Sequence, residues 1–248
     1  MVSASLTLTF DETLRLLLPR AKRDLRRVDY PLTRRASIKD IVESVNIPHT
    51  EVGTISSNNR EITFDQIPRP GERYRINSVP PGTDVTRPTL LRPLPLSEVS
   101  FLVDINVGRL AHLLRMAGFD TLYSPELVEA ELAELALTEK RIVLSRNRDL
   151  LQRRYIHWGR LIRSQQPEEQ LREVITLYGI AKSIVPFSRC MQCNTVLVPV
   201  EKSAVLHLLE PLTRKYYRKF TRCSGCGRIY WPGSHHRKME ESIRRACR

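Results

Sequence analysis

Several features that define common protein classes are missing from this sequence of 248 residues. No apolar run approaches the ~20 residues that a transmembrane helix needs. The first ten residues, MVSASLTLTF, alternate polar and apolar side chains, whereas a signal peptide places a basic segment before an apolar one. Five cysteines without such a signal argue against a disulfide framework. We therefore expect a cytoplasmic protein that does not associate with membranes.

Acidic residues are few relative to basic ones: 27 Asp and Glu against 40 Lys and Arg give a formal net charge of +13. The excess is concentrated from Leu151 onward, where 19 basic and 7 acidic residues lie. Clustered cations bind polyanions strongly because binding releases condensed counterions. A basic face that only improves solubility is the alternative explanation. The charge distribution therefore favours a nucleic-acid-binding C-terminal region.

Four of the five cysteines form two Cys-x-x-Cys pairs, Cys190 with Cys193 and Cys223 with Cys226. Two intervening residues allow one tight turn to direct both thiolates at a single ion, and two such turns complete a tetrahedral Zn²⁺ shell. A thioredoxin-like redox site would instead need a single pair between a strand and a helix. The sequence therefore predicts a structural zinc ribbon.

The length and the 41% hydrophobic content suggest two or three domains. Residues 4–10 are typical of a strand, and Ser37 precedes a helical pattern in which Ile38, Ile41 and Val42 share one face. Further strand patterns follow at 52–55 and 74–79. Residues 47–52 (IPHTEV), 58–64 (NNREITF) and 70–72 (PGE) resemble a ubiquitin-like β-grasp domain of the kind that precedes PIN-like ribonucleases. We expect this domain to span residues 1–82.

Residues 83–98 include three prolines and are predicted to form a stiff, extended linker. Alternating strand and helix patterns follow, which predicts an α/β domain over residues 99–185 with a parallel sheet and flanking helices. Residues 186–248 would then hold the zinc ribbon and a basic tail. The predicted fold is thus a multidomain combination of α+β and α/β modules.

Carboxylates are expected at the C-terminal edge of the parallel sheet. Asp104 follows the first strand and residues 145–149 (SRNRD) follow the third, and ligands of such sheets gather at this edge. With Glu129, Glu131 or Glu134 from the helix between, these acids would hold one or two Mg²⁺ or Mn²⁺ ions that activate water and stabilise a phosphate. A solvated helix face explains Glu131 and Glu134 equally well.

Seven short segments follow one another along this part of the chain: 101–104 (FLVD), 108–111 (GRLA), 118–121 (GFDT), 141–146 (RIVLSR), 169–171 (EQL), 188–194 (SRCMQCN) and 226–235 (CGRIYWPGSH). From about Ser100 onward they resemble the C-terminal RNase domain of the mut-seven exonuclease. The resemblance implies a PIN-like nuclease with a zinc ribbon and metal-dependent RNA cleavage, in which Asp104 is the first metal carboxylate.

Two residues depart from the family's motif, and the second of them, Asn147, removes a carboxylate. The family has Thr-Arg-Asp after the third strand, whereas residues 145–147 read SRN. An amide keeps the shape but loses the charge that attracts a hard cation. Asp149 is the alternative ligand, although an offset of two residues turns its side chain away. We expect weakened activity and name as the candidate catalytic set Asp104, Glu131, Asn147 and Asp149.

Arginines on the helix after Asp104 match family positions and would reach a scissile phosphate, although they would also serve as solvated surface residues. Cations near the second cysteine pair alternate with Tyr216 and Tyr217, which offer stacking faces or core packing. The candidate RNA-binding residues are Arg109, Arg115, Arg146, Arg214, Lys215, Arg218, Lys219 and Arg222.

Two hypotheses follow for function. The first is a metal-dependent ribonuclease that acts on structured or translation-associated RNA, and the second is a non-catalytic protein that binds tRNA or ribosomal RNA through a nuclease-derived fold. Asn147 separates them, because it removes a metal-binding charge. A sulfur-carrier role has little support, since the β-grasp segment ends in Pro81-Gly82 and the chain continues. The cofactors expected are structural Zn²⁺ and, for the enzyme, Mg²⁺ or Mn²⁺.

Overall fold

The computed structural model describes residues 5–247, and its first sheet is mixed, with the strand order β2-β1-β5-β3-β4. The strands are β1 (Ser5–Phe10), β2 (Val28–Pro31), β3 (Val52–Ser57), β4 (Arg60–Glu61) and β5 (Arg73–Ser78). Strand β1 runs parallel to β5, and the neighbouring pairs are antiparallel. Ala4, where the sequence predicts the first strand to begin, lies outside the described residues.

Two short helices accompany this sheet, α1 (Glu12–Arg15) and α2 (Ile38–Ser44). Helix α2 begins with a reciprocal cap, in which the Ser37 hydroxyl accepts from the Asp40 amide and the Asp40 carboxylate accepts from the Ser37 amide, both at 3.2 Å. Its buried face packs in the same hydrophobic core as the alternate buried residues of β1. This arrangement confirms the predicted ubiquitin-like module.

The second sheet contains four strands, all parallel, in the order β7-β6-β8-β9. The strands are β6 (Phe101–Val103), β7 (Thr121–Leu122), β8 (Ile142–Ser145) and β9 (Gly159–Leu161). All residues of β6 and β8 are buried, as expected for central strands that are covered on both faces. The accompanying helices are α3 (Gly108–Met116), α4 (Glu129–Thr138), α5 (Arg148–Leu151) and α6 (Pro167–Tyr178). The predicted α/β module is confirmed.

The third sheet is antiparallel, with the order β10-β11-β12. Its strands are β10 (Leu197–Val200), β11 (Phe220–Cys223) and β12 (Ile229–Tyr230), and two short helices, α7 (Lys202–Val205) and α8 (Pro211–Tyr216), connect the first two strands. Helix α9 (Ser234–Ala246) leaves the ribbon and packs against α6, where Arg172 donates to the Arg245 carbonyl at 3.1 Å. No helix among residues 5–247 is long and apolar enough to cross a membrane.

The first two modules share one hydrophobic core. Leu132, Leu150 and Leu151 belong to the α/β module of strands β6 to β9 (the nuclease-like module), and they lie in the same buried cluster as the β1 and α2 side chains. The guanidinium of Arg92 is buried between the modules and donates to carbonyls on both sides, those of His49, Thr50, Val52 and His157. Sequence reasoning did not predict this common core.

The segment 83–98 contains no helix or strand among the described residues. Three of its side chains, Val85, Leu91 and Leu96, are nevertheless buried against the two flanking modules. These side chains anchor the segment at three points, while most of its other residues are exposed. The domain boundaries at residues 82, 98 and 185 remain predictions.

Candidate functional site

Asp104 lies at the C-terminal end of β6, immediately before a short turn that leads into α3. Its side chain is only 7% exposed. One carboxylate oxygen accepts from the Ile105 amide at 2.7 Å, and the other accepts from Asn106 Nδ2 and Ser145 Oγ, both at 2.5 Å. Three donors therefore fix the orientation of a buried carboxylate at the strand end where the sequence predicted the site.

Ser145 and Asn106 connect the ends of the two central strands. Ser145, the last residue of β8, donates to Asp104 and accepts from the Asn147 amide at 2.8 Å. Asn106 donates to Asp104 and accepts from the Arg146 amide at 3.0 Å. Sequence reasoning assigned no role to Asn106, although its position two residues after the strand-end acid is a readable signal. These hydrogen bonds hold the polar residues after β6 and β8 in fixed positions relative to each other.

Asn147 occupies the position where the family motif has an acid, and both ends of its amide are engaged. The oxygen accepts from the Asp149 and Leu150 amides at 3.0 and 3.4 Å and thereby caps α5. The nitrogen donates to Glu129 Oε1 at 2.6 Å. Glu129 also accepts from Arg153 at 3.1 Å. The amide therefore satisfies a neighbouring carboxylate, a contact that an ionised aspartate would replace with repulsion.

The structure separates the predicted acids. Glu129, and not Glu131, reaches Asn147; the Glu131 carboxylate accepts from the Val128 amide at 3.2 Å and caps the start of α4. Asp149 lies in the first turn of α5 and is exposed. Glu134, in the middle of α4, is exposed as well. We infer a helix-capping role for Glu131 in place of the predicted catalytic one, because its position in the first turn of α4 brings it back onto the helix backbone.

The carboxylates fit a hard divalent cation incompletely. Within residues 5–247, the one group of three or more His, Cys, Asp or Glu side chains with ligand atoms close together is the cysteine cluster. Asp104 is connected to Asn147 through Ser145, Glu129 accepts from the Asn147 amide nitrogen, and that nitrogen repels a cation. The set is one acid short of the arrangement that the sequence motif implies.

A cavity of about 350 Å³ adjoins this edge and is lined by Asn106, Arg109, His112 and Arg146, together with Tyr123 and Gln170. No acidic residue lines it among those that the structure describes. Arg109 on α3 and Arg146 after β8 are both exposed cations. His112 Nδ1 donates to the Met191 carbonyl at 2.9 Å, which leaves Nε2 of a neutral ring as an acceptor. The cavity favours an anionic, hydrogen-bonding ligand such as a phosphodiester.

Arg115 does not reach this cavity, although the sequence predicted that it binds RNA. Its guanidinium is 3% exposed and donates to the Thr121 carbonyl at 2.9 Å and to the Met191 and Gln192 carbonyls at 3.2 and 2.7 Å. Burial lowers the pKa of Arg115. Because its donors are directed at backbone carbonyls, Arg115 fixes the first cysteine turn to α3. We infer a structural role for Arg115 in place of the RNA contact that the sequence predicted.

The four paired cysteines come together as predicted. Their sulfur atoms all lie within 4.8 Å of one another, with Cys190 to Cys226 at 3.5 Å and Cys193 to Cys223 at 3.3 Å. Four sulfurs around Zn²⁺ at about 2.3 Å would be roughly 3.8 Å apart. Thr195 lowers the pKa of the Cys193 thiol to about 6 through hydrogen bonds, which favours the thiolate that a metal needs. This cluster fits a structural metal such as zinc.

The first cysteine turn is attached to the parallel sheet as well as to α3. Asn194 accepts from the Thr121 amide and donates to Asp120, both at 3.0 Å. Gly118, at φ +99°, lies against residues 185–188, where an added Cβ would overlap the Val185 carbonyl oxygen. The ribbon is therefore joined rigidly to the nuclease-like module.

The remaining predicted RNA-binding cations lie on the ribbon. Arg218, Lys219 and Arg222 are exposed. Arg214 donates to the Leu209 carbonyl at 2.8 Å, and Lys215 lies over the Tyr216 ring at 5.3 Å. These five cations lie on the ribbon, as the cysteine cluster does, whereas Arg109 and Arg146 lie near Asp104.

Comparison with known families identifies both halves of the chain. The model described as Mut7-C RNAse domain matches residues 99–243, more than half of the chain, and the model described as Mut7-C ubiquitin matches residues 3–81. No curated protein and no solved structure gives a significant match.

Proposed function

Because the chain belongs to the Mut7-C RNAse domain family, we propose that it is a ribonuclease of reduced activity whose site lies at the C-terminal edge of the parallel sheet. The observation that carries the proposal is the buried carboxylate of Asp104 beside a cavity whose charged residues are cations. An acid next to cations suits a phosphodiester, since the cations hold the phosphate while the acid faces the reacting centre.

The chain's own residues have separable tasks in this proposal. Arg109 and Arg146 hold the phosphate, and Ser145 and Asn106 orient the Asp104 carboxylate by hydrogen bonds. Asp104 and Glu129 are the residues that would hold Mg²⁺ or Mn²⁺, which would supply charge stabilisation to the phosphate. Asn147 makes this binding weak because it contributes no charge.

The substrate class is structured RNA, including tRNA and ribosomal RNA. Cations lie both at the catalytic edge and on the ribbon, and a rigid junction holds the two sets apart. A folded RNA presents phosphates at several separated places, so it engages both sets, whereas a short flexible strand engages one at a time.

The test is cleavage of total RNA and of purified tRNA, with Mn²⁺ added or omitted. We expect slow cleavage that depends on added Mn²⁺ and that Asp104→Asn abolishes. Glu131→Gln serves as the matched control, since its carboxylate caps a helix, and this variant should cleave like the wild type. Cleavage that survives Asp104→Asn would refute the site.

A second function, RNA binding without cleavage, is favoured by one contact. The hydrogen bond from Asn147 to Glu129 satisfies that carboxylate without a cation, so Glu129 does not need a metal ion as a partner. In that case neither the wild type nor Asn147→Asp cleaves RNA with Mn²⁺, while both bind tRNA with a steep salt dependence.

A further inference from the structure

A second cavity, of about 500 Å³, lies between the ribbon sheet and α9, away from the Asp104 edge. Its volume falls in the ~300–1,000 Å³ range of small-ligand sites. Five of its lining residues carry aromatic rings: Phe187, Phe220, Tyr230, Trp231 and His236. Aromatic faces at this density are suited to a flat, π-bonded ligand.

The aromatic walls are in place before any ligand arrives. The rings of Phe187 and His236 stack with centroids 4.0 Å apart and planes inclined by 30°. On the ribbon, Trp231 lies 6.4 Å from Phe220 and 6.5 Å from Tyr217, and 38% of Trp231 is exposed. Because neighbouring rings already hold the partly exposed indole, stacking a ligand on it costs little side-chain conformational entropy.

The backbone of Phe187 is held in an unfavourable conformation. Its φ is +59°, in the left-handed region that bulky residues rarely adopt. The Phe187 amide donates to the Met116 carbonyl at 2.8 Å, which fixes it in that state. Such strain persists where the position of a side chain matters, and here it keeps the ring against His236 at the cavity wall.

The charges around this cavity select an anionic ligand. Arg218 and Lys219 line it and are exposed, and Arg189 lines it while also pairing with Asp120 at 3.5 Å. Glu201 is the one acid among the described lining residues. Residues 186–248 carry 13 basic and 4 acidic residues. A ligand that is both flat and flanked by negative charge matches this combination.

We propose that the cavity binds an unpaired base of single-stranded RNA by stacking on Trp231, with the flanking phosphates held by Arg218 and Lys219. The choice of RNA rests on the proposed function. A base in a duplex is stacked and paired and cannot enter, so the cavity would recognise a single-stranded end or loop of a structured RNA. It would thereby place the adjoining duplex against the rest of the chain.

The test uses the exposure of Trp231 directly. The chain contains two tryptophans, and Trp158 is only 3% exposed, so acrylamide quenching of the fluorescence reports mainly on Trp231. The probes are a 12-nucleotide single-stranded RNA and the same strand in a blunt duplex, measured without added Mg²⁺ or Mn²⁺. We expect the single strand to shield Trp231 and the duplex to leave it accessible.

Two variants test the affinity. Trp231→Leu should weaken single-strand binding about tenfold, the effect of losing one stacked base, and should leave duplex binding within twofold. Tyr155→Leu, which removes an aromatic side chain of 41% exposure in the nuclease-like module, is the control and should bind both probes normally. If Trp231→Leu loses its metal or its fold, Met239→Glu places a carboxylate in the same cavity from α9 and should give the same selective loss.

The opposing outcomes are distinct. Equal loss of single-strand and duplex binding would show that the residues contribute only to general electrostatics. Shielding of Trp231 that grows with protein concentration in the absence of RNA would identify a second copy as the occupant. Either result overturns the proposal. A chain that cleaves RNA but does not shield Trp231 refutes this site alone, and a chain that shields Trp231 but never cleaves refutes only the ribonuclease.

Discussion

Replacing Arg115 with leucine tests the division of labour along α3. Arg109 and Arg115 are two cations on one helix, and the sequence predicted the same RNA-binding role for both. The structure gives Arg115 three carbonyl partners and leaves Arg109 exposed at the cavity. The two substitutions are therefore matched in chemistry and helix, but they remove different contacts.

The expected loss of stability follows from those contacts. Arg115→Leu removes three hydrogen bonds from a charged donor and leaves their carbonyl partners near the cysteine turn with water as the only replacement. At about 1 kcal/mol net for each bond, the free energy of unfolding should fall by about 3 kcal/mol. Arg109→Leu removes an exposed cation and should change the free energy of unfolding by less than about 0.5 kcal/mol.

Urea unfolding followed by circular dichroism measures the free energy of unfolding. Fluorescence anisotropy with labelled tRNA measures the affinity for RNA. We expect Arg115→Leu to be less stable but, while folded, to bind tRNA like the wild type. Arg109→Leu should show the reverse, with unchanged stability and several-fold weaker binding. Normal stability of Arg115→Leu together with weakened tRNA binding would refute the reasoning and restore the role predicted from the sequence.

Three further changes have defined outcomes. Cys223→Ser should abolish stoichiometric zinc in elemental analysis and unfold the ribbon, because three thiolates hold the ion poorly; a folded, metal-free wild-type protein would contradict this. Gly118→Ala should lower the free energy of unfolding by about 2 kcal/mol or more, since φ is +99° and the new methyl group overlaps Val185; an unchanged urea midpoint would show that the junction yields. Alanine at five ribbon cations should reduce the salt slope of tRNA binding by up to about 4, and an unchanged slope would place the RNA elsewhere; the cations are Arg214, Lys215, Arg218, Lys219 and Arg222.

Short-range patterns in the sequence were sufficient to predict the modules. Several features depend only on residues that are close together in the sequence, so each can be recognised from a short segment. They are the alternating burial in β1, the capping box at Ser37 and the continuous apolar runs of β6 and β8. The cysteine spacing was equally informative, because one tight turn determines where both thiolates point. Strand β2 was missed because it is only four residues long and ends at Pro31, although its burial alternates.

Long-range contacts were beyond local reasoning. The direction of the Arg115 guanidinium depends on a cysteine turn 76 residues away, and the burial of Arg92 depends on carbonyls from both modules. The choice of Glu129 over Glu131 was likewise unpredictable, because a shift of two positions on α4 decides which acid faces Asn147 and which one caps the helix. In each case the residue type indicated a polar role, but the sequence did not indicate which group the side chain contacts.

The most direct test of the central claim is the Mn²⁺-dependent cleavage rate of Asn147→Asp compared with the wild type. The new carboxylate would meet Glu129 in place of the 2.6 Å hydrogen bond, and a divalent cation would offset that repulsion. We predict tighter Mn²⁺ binding by calorimetry and faster RNA cleavage, with both gains lost in the Asn147→Asp, Asp104→Asn double variant. Brisk wild-type cleavage that Asn147→Asp leaves unchanged would contradict a site weakened at Asn147, and absence of cleavage in every variant would contradict the ribonuclease itself.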